Sequence, residues 1–125
     1  MDQVPKVIAD YIAAYNSKDL DRMLACFSTD VHFVNISGDV ISAEAKGEHD
    51  FRVLAEQGLR FFTERNQTIS NCIGIGNHVS LRIKYRAVVA SDLPNGWKAG
   101  QTIELEGMSL FTLANGSIAE LTDIA

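Results

Sequence analysis

The side chains best suited to chemistry in this chain are a few acids, amides and hydroxyls spread from one end to the other. Asp123 lies in a closing segment where it shares a face with Leu121. On a concave apolar wall a carboxyl is desolvated, its pKa rises, and it enters the range useful for proton transfer. The plain alternative is an exposed acid near the chain end that frays. Asn35 alternates onto the same face as Phe33; a buried amide can donate to a carbonyl or orient a water, or can bond to neighbouring backbone. Tyr11 and Tyr15 are four residues apart on one apolar helical stripe. Either hydroxyl can serve as an oxyanion donor, and either ring can be simple core. Tyr85 offers the same choice. Ser109 and Gly107 alternate onto one face, where small side chains leave room for a ligand that Ser109 can hydrogen-bond. His49 stands without a carboxylate or cysteine cluster, which is poor ground for a metal site. His32 falls on an outer face and His78 in a turn. Neither a metal nor a cofactor is expected.

These residues need elements to hold them. Val4, Val7, Ile8, Tyr11, Ile12 and Tyr15 repeat at helical spacing, which predicts a helix over 3–16 with Asp2 as N-cap and Pro5 in its first turn. Asp19 caps a second, short helix with Leu20, Met23, Leu24 and Phe27 on its inner face. Residues 31–36 alternate as a strand, 37–39 form a turn, and 40–43 form a second strand. Gly47 opens a third helix whose inner face carries Phe51, Leu54, Ala55, Gly58, Phe61 and Phe62. From Gln67 onward the chain alternates as sheet. Gly76-Asn77 and Asn115-Gly116 make tight turns, and 91–100 is a long hairpin loop holding Trp97. In the first of these later strands Ile69, Asn71, Ile73 and Ile75 share a face. In the next, Val79, Leu81, Ile83, Tyr85, Ala87 and Val89 face one way, with Arg82, Lys84 and Arg86 opposite. Glu104 and Glu106 can pair with those cations across strands. Two helices, two strands, a helix and four strands predict an α+β domain over residues 1–125, with three helices packed on a curved, mostly antiparallel sheet. A cone of this kind keeps a cavity at its wide end.

Composition sets outer limits. The chain has 125 residues, 46% of them hydrophobic and 22% charged, the mix of an ordinary globular domain. A formal net charge of −5 disfavours a nucleic-acid partner. No apolar run approaches the roughly 20 residues that span a bilayer, so no membrane partner is expected. Residues 1–5 do not read as a leader. Cys26 and Cys72 fall in different elements and form no CxxC; they read as buried reduced thiols, which points to the cytoplasm.

The opening Tyr11-Ile-Ala-Ala-Tyr15-Asn16, then Asp19, Met23, Phe27 and Asp30-Val31-His32-Phe33, resembles the signature of the nuclear-transport-factor-2-like superfamily. Gly47, the passage Gly107-Met-Ser-Leu-Phe111, Asn115-Gly116-Ser-Ile118 and Glu120-Leu-Thr-Asp123 fit as well, and 96–100 is similar to the SnoaL-like polyketide cyclase branch. The resemblance covers essentially the whole chain and implies the cystatin-like cone. It implies function less directly, because the superfamily hosts isomerases, hydrolases, cyclases and noncatalytic modules. Against ketosteroid isomerases, Tyr11 matches the oxyanion tyrosine, but Asn35 stands at the base position and Gly107 at the second acid. Against limonene epoxide hydrolases, Asn35 and Asp123 match, whereas Phe33 replaces a tyrosine and Ile83 and Tyr85 stand where an Arg-x-Asp pair belongs. Against SnoaL-like cyclases, Asp123 occupies the position of the last-strand acid/base. The resemblance thus implies Asp123, Asn35 and Tyr11 as the catalytic set, with Tyr15, Phe33, Phe51, Phe62, Tyr85, Ser109 and Trp97 around a mostly apolar cyclic ligand. A homodimer through the outer sheet face is the implied assembly. A noncatalytic binding domain, or a dimerisation domain whose cavity is filled by Phe51, Phe61 and Phe62, is the alternative.

Overall fold

The computed structural model describes residues 2–125; Met1, the first residue of the stretch read for a leader, lies outside them. The elements run α1 (Lys6–Asn16), α2 (Leu20–Ala25), β1 (Phe27–Ser37), β2 (Val40–Lys46), α3 (Glu48–Leu59), β3 (Phe62–Ile75), β4 (His78–Val89), β5 (Thr102–Ala114) and β6 (Ser117–Ile124). This is the expected order. The six strands form one sheet in the order β2-β1-β6-β5-β4-β3. Every neighbouring pair is antiparallel except β1 and β6, which run parallel. Register shifts at Asn35/Ile36, Ile69/Asn71 and Thr112/Leu113 bend the strands, as bulges do, and the sheet curves around the helices.

The core lies between the helices and the concave face. Ile8, Tyr11, Ile12 and Ala14 of α1 pack with Met23 and Leu24 of α2 against Val31, Leu81, Phe111, Ile118 and Leu121 of the sheet. Phe51 of α3 meets Phe27 edge-on at 4.6 Å and Phe33 at 5.2 Å between ring centroids. The alternation in β4 is as expected: Val79, Leu81, Ile83, Ala87 and Val89 are buried, and Arg82, Lys84 and Arg86 are exposed. On that outer face Lys84 stands opposite Glu106 and Arg86 opposite Glu104. The ion pairs close diagonally, Arg82 to Glu106 at 3.5 Å and Arg86 to Glu64 at 3.9 Å.

Four local expectations are corrected. Helix α1 starts at Lys6 with Pro5 at its N-cap, so Asp2 caps nothing. Instead Asp2 donates its N–H to the Cys72 carbonyl and accepts from the Gly74 N–H, both at 2.9 Å, which ties the chain start to β3 at the sheet edge. Phe27 opens β1 rather than closing α2, because α2 ends at Ala25 and Phe27 already pairs with Ile118. Phe61 and Phe62 are not on α3. The helix ends at Leu59, and Phe62 is drawn into β3 by pairing with Val89, which leaves Phe61 43% exposed. The bulge between Ile69 and Asn71 reverses the parity of β3, so that Cys72 is buried while Ile73 and Ile75 face outward.

The cap on α2 is as read: the Arg22 N–H donates to Asp19 Oδ1 at 3.2 Å. Asp19→Ala is expected to lower stability by about 1 kcal/mol, measurable by urea denaturation.

Candidate functional site

Strand register places three inward polar side chains in one row. Ser109 of β5 stands opposite Asp123 of β6, and Asp123 stands beside Asn35 of β1 in the parallel pair. All three line a cavity of about 280 Å³. Ser109 Oγ donates to Asp123 Oδ1 at 2.7 Å, whereas Oδ2 has no hydrogen-bond partner among the described residues. Burial raises the Asp123 pKa from 3.8 to about 6, and the bond from Ser109 opposes part of that rise. A carboxyl of this kind changes protonation near neutrality, with Oδ2 as the oxygen that gives or takes the proton.

Asp123 is not on a frayed end. The Ala125 N–H donates to the Ile36 carbonyl at 3.0 Å, and the Gly38 N–H donates to the Ala125 carbonyl at 3.3 Å. The end of β6 is thereby clamped to the β1–β2 turn. Gly107 lets it pass: a Cβ there would lie 2.5 Å from the Ile124 carbonyl oxygen. Gly107 thus serves a close backbone approach as well as opening space.

Asn35 is more committed than expected. Ser42 Oγ donates its one proton to the Asn35 backbone carbonyl at 3.2 Å, so it must accept from Asn35 Nδ2, 2.7 Å away. Ser37 Oγ lies 3.2 Å from the same nitrogen. The amide nitrogen is therefore occupied by the hairpin, and the carbonyl oxygen is the atom left for the cavity.

The wall away from this row is aromatic. Tyr15 and Tyr85 line the cavity with their hydroxyls 2.9 Å apart. Phe62 stands 6.1 Å from Tyr85, and Trp97 stands 6.3 Å from Phe62, between centroids; both also line the cavity. Burial raises the pKa of both tyrosines above the ordinary phenol value, which keeps them neutral. The Trp97 loop is knitted internally: Leu93 N–H donates to the Trp97 carbonyl at 2.8 Å, and Ala99 N–H to Asp92 Oδ1 at 2.9 Å. Trp97 is accordingly held as part of the wall.

Three expected residues stand outside this cavity. Tyr11 sits one helical turn before Tyr15, where its ring meets Phe27 at 5.1 Å and Phe111 at 6.2 Å, and it is 3% exposed. Phe33 and Phe51 pack on each other in the core beneath α3. Helical and strand parity put all three on the inner side; depth along the cone separates them from the cavity wall.

Two residues that sequence reasoning missed belong to the neighbourhood. Arg65 is buried, with no carboxylate partner among the described residues. Its Nε donates to the Tyr15 carbonyl at 2.9 Å, and its guanidinium lies 3.7 Å above the Tyr15 ring. It satisfies a carbonyl at the C-terminal end of α1 and fixes the ring by cation–π attraction. Gln67 is 9% exposed and lines the cavity. The available signal was the alternation Arg65, Gln67, Ile69, had the strand been run back from Gln67.

Among the described residues no helix is long and apolar enough to cross a membrane.

Residues 8–121 match the family model of the SnoaL-like domain. No curated protein matches the chain. Solved structures do. A protein with a ketosteroid isomerase-like fold from Catenulispora acidiphila DSM 44928, in complex with trimethylamine, superposes with a TM-score of 0.80 at 16% identity, covering 97% of this chain and 85% of that one. IdmH, a candidate polyketide cyclase from Streptomyces antibioticus, gives 0.78 at 19% identity over 94% of this chain and 88% of that one. TerC, co-crystallised with polyporic acid, gives 0.77 at 16% identity over 95% and 88%. At such identities the likeness is one of fold.

Proposed function

The chain belongs to the SnoaL-like domain family, and from that premise we propose that its cavity takes a mostly apolar cyclic small molecule on which Asp123 moves a proton or activates a water. The observation that carries this reading is the Asp123 carboxyl itself: desolvated, steadied on one oxygen by Ser109, and facing a cavity with the other. Ile83, Ile103 and the aromatic wall supply apolar contact, and the Tyr15–Tyr85 pair supplies a donor for charge that develops on a ligand oxygen. Isomerisation, cyclisation and water addition all fit that set of groups. That IdmH is a candidate polyketide cyclase and that TerC was crystallised with polyporic acid supports a small organic ligand.

A noncatalytic binding protein is the second reading. Asn35 favours it, because the amide nitrogen that would have stabilised a developing oxyanion is already bonded to Ser42 and Ser37. In either case we propose one working domain over residues 1–125, paired as a homodimer through the outer sheet face, where Met108 and Leu110 are exposed beside the Arg82–Glu106 pair. The two free cysteines support a cytoplasmic setting.

The test is ligand-dependent thermal stabilisation against cyclic ketones, steroids, aromatic polyketides and epoxides, with wild type and Asp123→Asn in parallel. A ligand at about 100 times its Kd stabilises by roughly 3 kcal/mol, a shift of several degrees. A hit that moves the two proteins by different amounts supports the reading, and turnover lost in Asp123→Asn with affinity kept separates enzyme from binder. Absence of any shift across the set would sink the cavity reading in favour of a dimerisation domain.

A further inference from the structure

Gln67 is the polar group in the cavity that the protein leaves least satisfied. It lies on the inner face of β3, opposite Tyr85 of β4. Its backbone is locked on both sides by Asn16: the Gln67 N–H donates to Asn16 Oδ1 at 2.7 Å, and Asn16 Nδ2 donates to the Gln67 carbonyl at 3.0 Å. The side-chain amide, by contrast, has no hydrogen-bond partner among the described residues, although the residue is nine-tenths buried and lines the cavity. No enclosed side-chain nitrogen or oxygen lacks a partner among the described residues, so the unpaired Gln67 amide atoms open onto the cavity and are free to bond a ligand that enters it.

The neighbouring hydroxyls are in a related position. Tyr15 and Tyr85 hold two protons between them and use one in their mutual bond. Neither hydroxyl donates to another group among the described residues, so one proton remains to be donated. Arg65, stacked on Tyr15, keeps that ring from turning away. One corner of the cavity therefore presents an unfilled amide and a spare phenolic proton, while Asp123 stands on the β6 side.

We propose that Gln67 and the Tyr15–Tyr85 pair form a recognition site for an oxygen substituent on an aromatic ring, a phenol or an aryl ketone, and thereby set which part of the ligand faces Asp123. This rests on the reading of the cavity as a ligand site. The amide can accept from a phenol O–H or donate to a carbonyl, and the tyrosine proton completes either arrangement. A ring of the same shape without the oxygen enters only at the cost of leaving the corner empty.

The probes are 2-naphthol and its isostere 2-methylnaphthalene, followed by quenching of Trp97, the single tryptophan and a cavity residue. Wild type is expected to bind 2-naphthol roughly tenfold more tightly than the isostere, the worth of a hydrogen bond retained on burial. Gln67→Leu should abolish that preference while leaving affinity for 2-methylnaphthalene equal or higher, and should melt no lower than wild type when unliganded, because no internal bond is lost. A Gln67→Leu protein that melts lower, or fails to fold, marks the amide as structural and overturns the inference. Equal binding of both probes by wild type overturns it while leaving the cavity reading intact. Binding of neither probe overturns it too, and the thermal-shift set then decides whether the cavity takes any ligand.

Discussion

At pH 7 to 8 the Asp123→Asn variant is expected to be more stable than wild type, by about 2 to 3 kcal/mol. The reason is the proton affinity of the Asp123 carboxyl, which is partly buried and desolvated on the cavity wall. Its pKa is about 6 in the fold against 3.8 for the unperturbed group. Between those values the folded protein holds a proton that the unfolded chain gives up. Stability from this group is therefore complete below about pH 4 and is lost as pH rises through about 6. Above that, the accumulated loss is about 1.4 kcal/mol for every pH unit separating the two values. Asparagine has the size of the protonated acid, accepts the Ser109 proton on its own Oδ1, and cannot ionise. Denaturant curves of the two proteins should converge near pH 4, diverge through pH 6 and run parallel beyond it. Curves that stay parallel across the whole range would mean the carboxylate is solvated, and the acid/base reading would lose its footing. A gain of stability on removing an ionisable group fits a group kept for function at a cost in stability.

Gly107→Ala is expected to have the second large effect, in the opposite direction. The added methyl would lie 2.5 Å from the Ile124 carbonyl oxygen, a backbone atom with no rotamer to change. The end of β6 must move, and overpacking of this kind costs about 1 to 3 kcal/mol. Asp123 precedes Ile124, so the displacement should also loosen its bond to Ser109 and open it to water. Both a lower denaturation midpoint and a flatter stability–pH profile are expected from the same denaturation series. Gly74→Ala is the control: there the nearest atoms are 3.6 and 3.7 Å from the added carbon, ordinary contact. Equal losses in the two variants would show that the close approach at Gly107 is not what matters.

Much of the site was legible because β4, β5 and β6 alternate cleanly. Parity alone set Ser109, Tyr85 and Asp123 inward, and turn chemistry at Asn115-Gly116 joined β5 to β6. Parity carries no information about which strands are neighbours. The parallel pairing of β1 with β6, which brings Asn35 beside Asp123, depends on the closure of the whole sheet. Nor does a helical stripe show depth: Tyr11 and Tyr15 repeat identically, yet only Tyr15 reaches the cavity wall. At Phe62 two adjacent apolar residues fit a helix as well as a strand, and pairing with Val89 decided the matter. That one ambiguity hid Arg65, which fell in the gap between the helix and a strand begun at Gln67. The bulge after Ile69 was hidden because the Ile/Asn alternation through it is unbroken in sequence.

The position of β6 also bears on how the protein reaches its native state. This strand follows the other five in sequence, yet in the sheet it lies between β1 and β5. Without β6 the sheet's hydrogen bonding would divide into two ladders, β2-β1 and β5-β4-β3, related only through the packed helices. Pairing the earliest strand with the latest is a long loop closure, which slows folding and exposes the ladder edges to other chains. In the unfolded chain Asp123 is an ordinary solvated carboxylate. Its raised proton affinity belongs to the folded site, so folding should take up a proton between about pH 4 and 6.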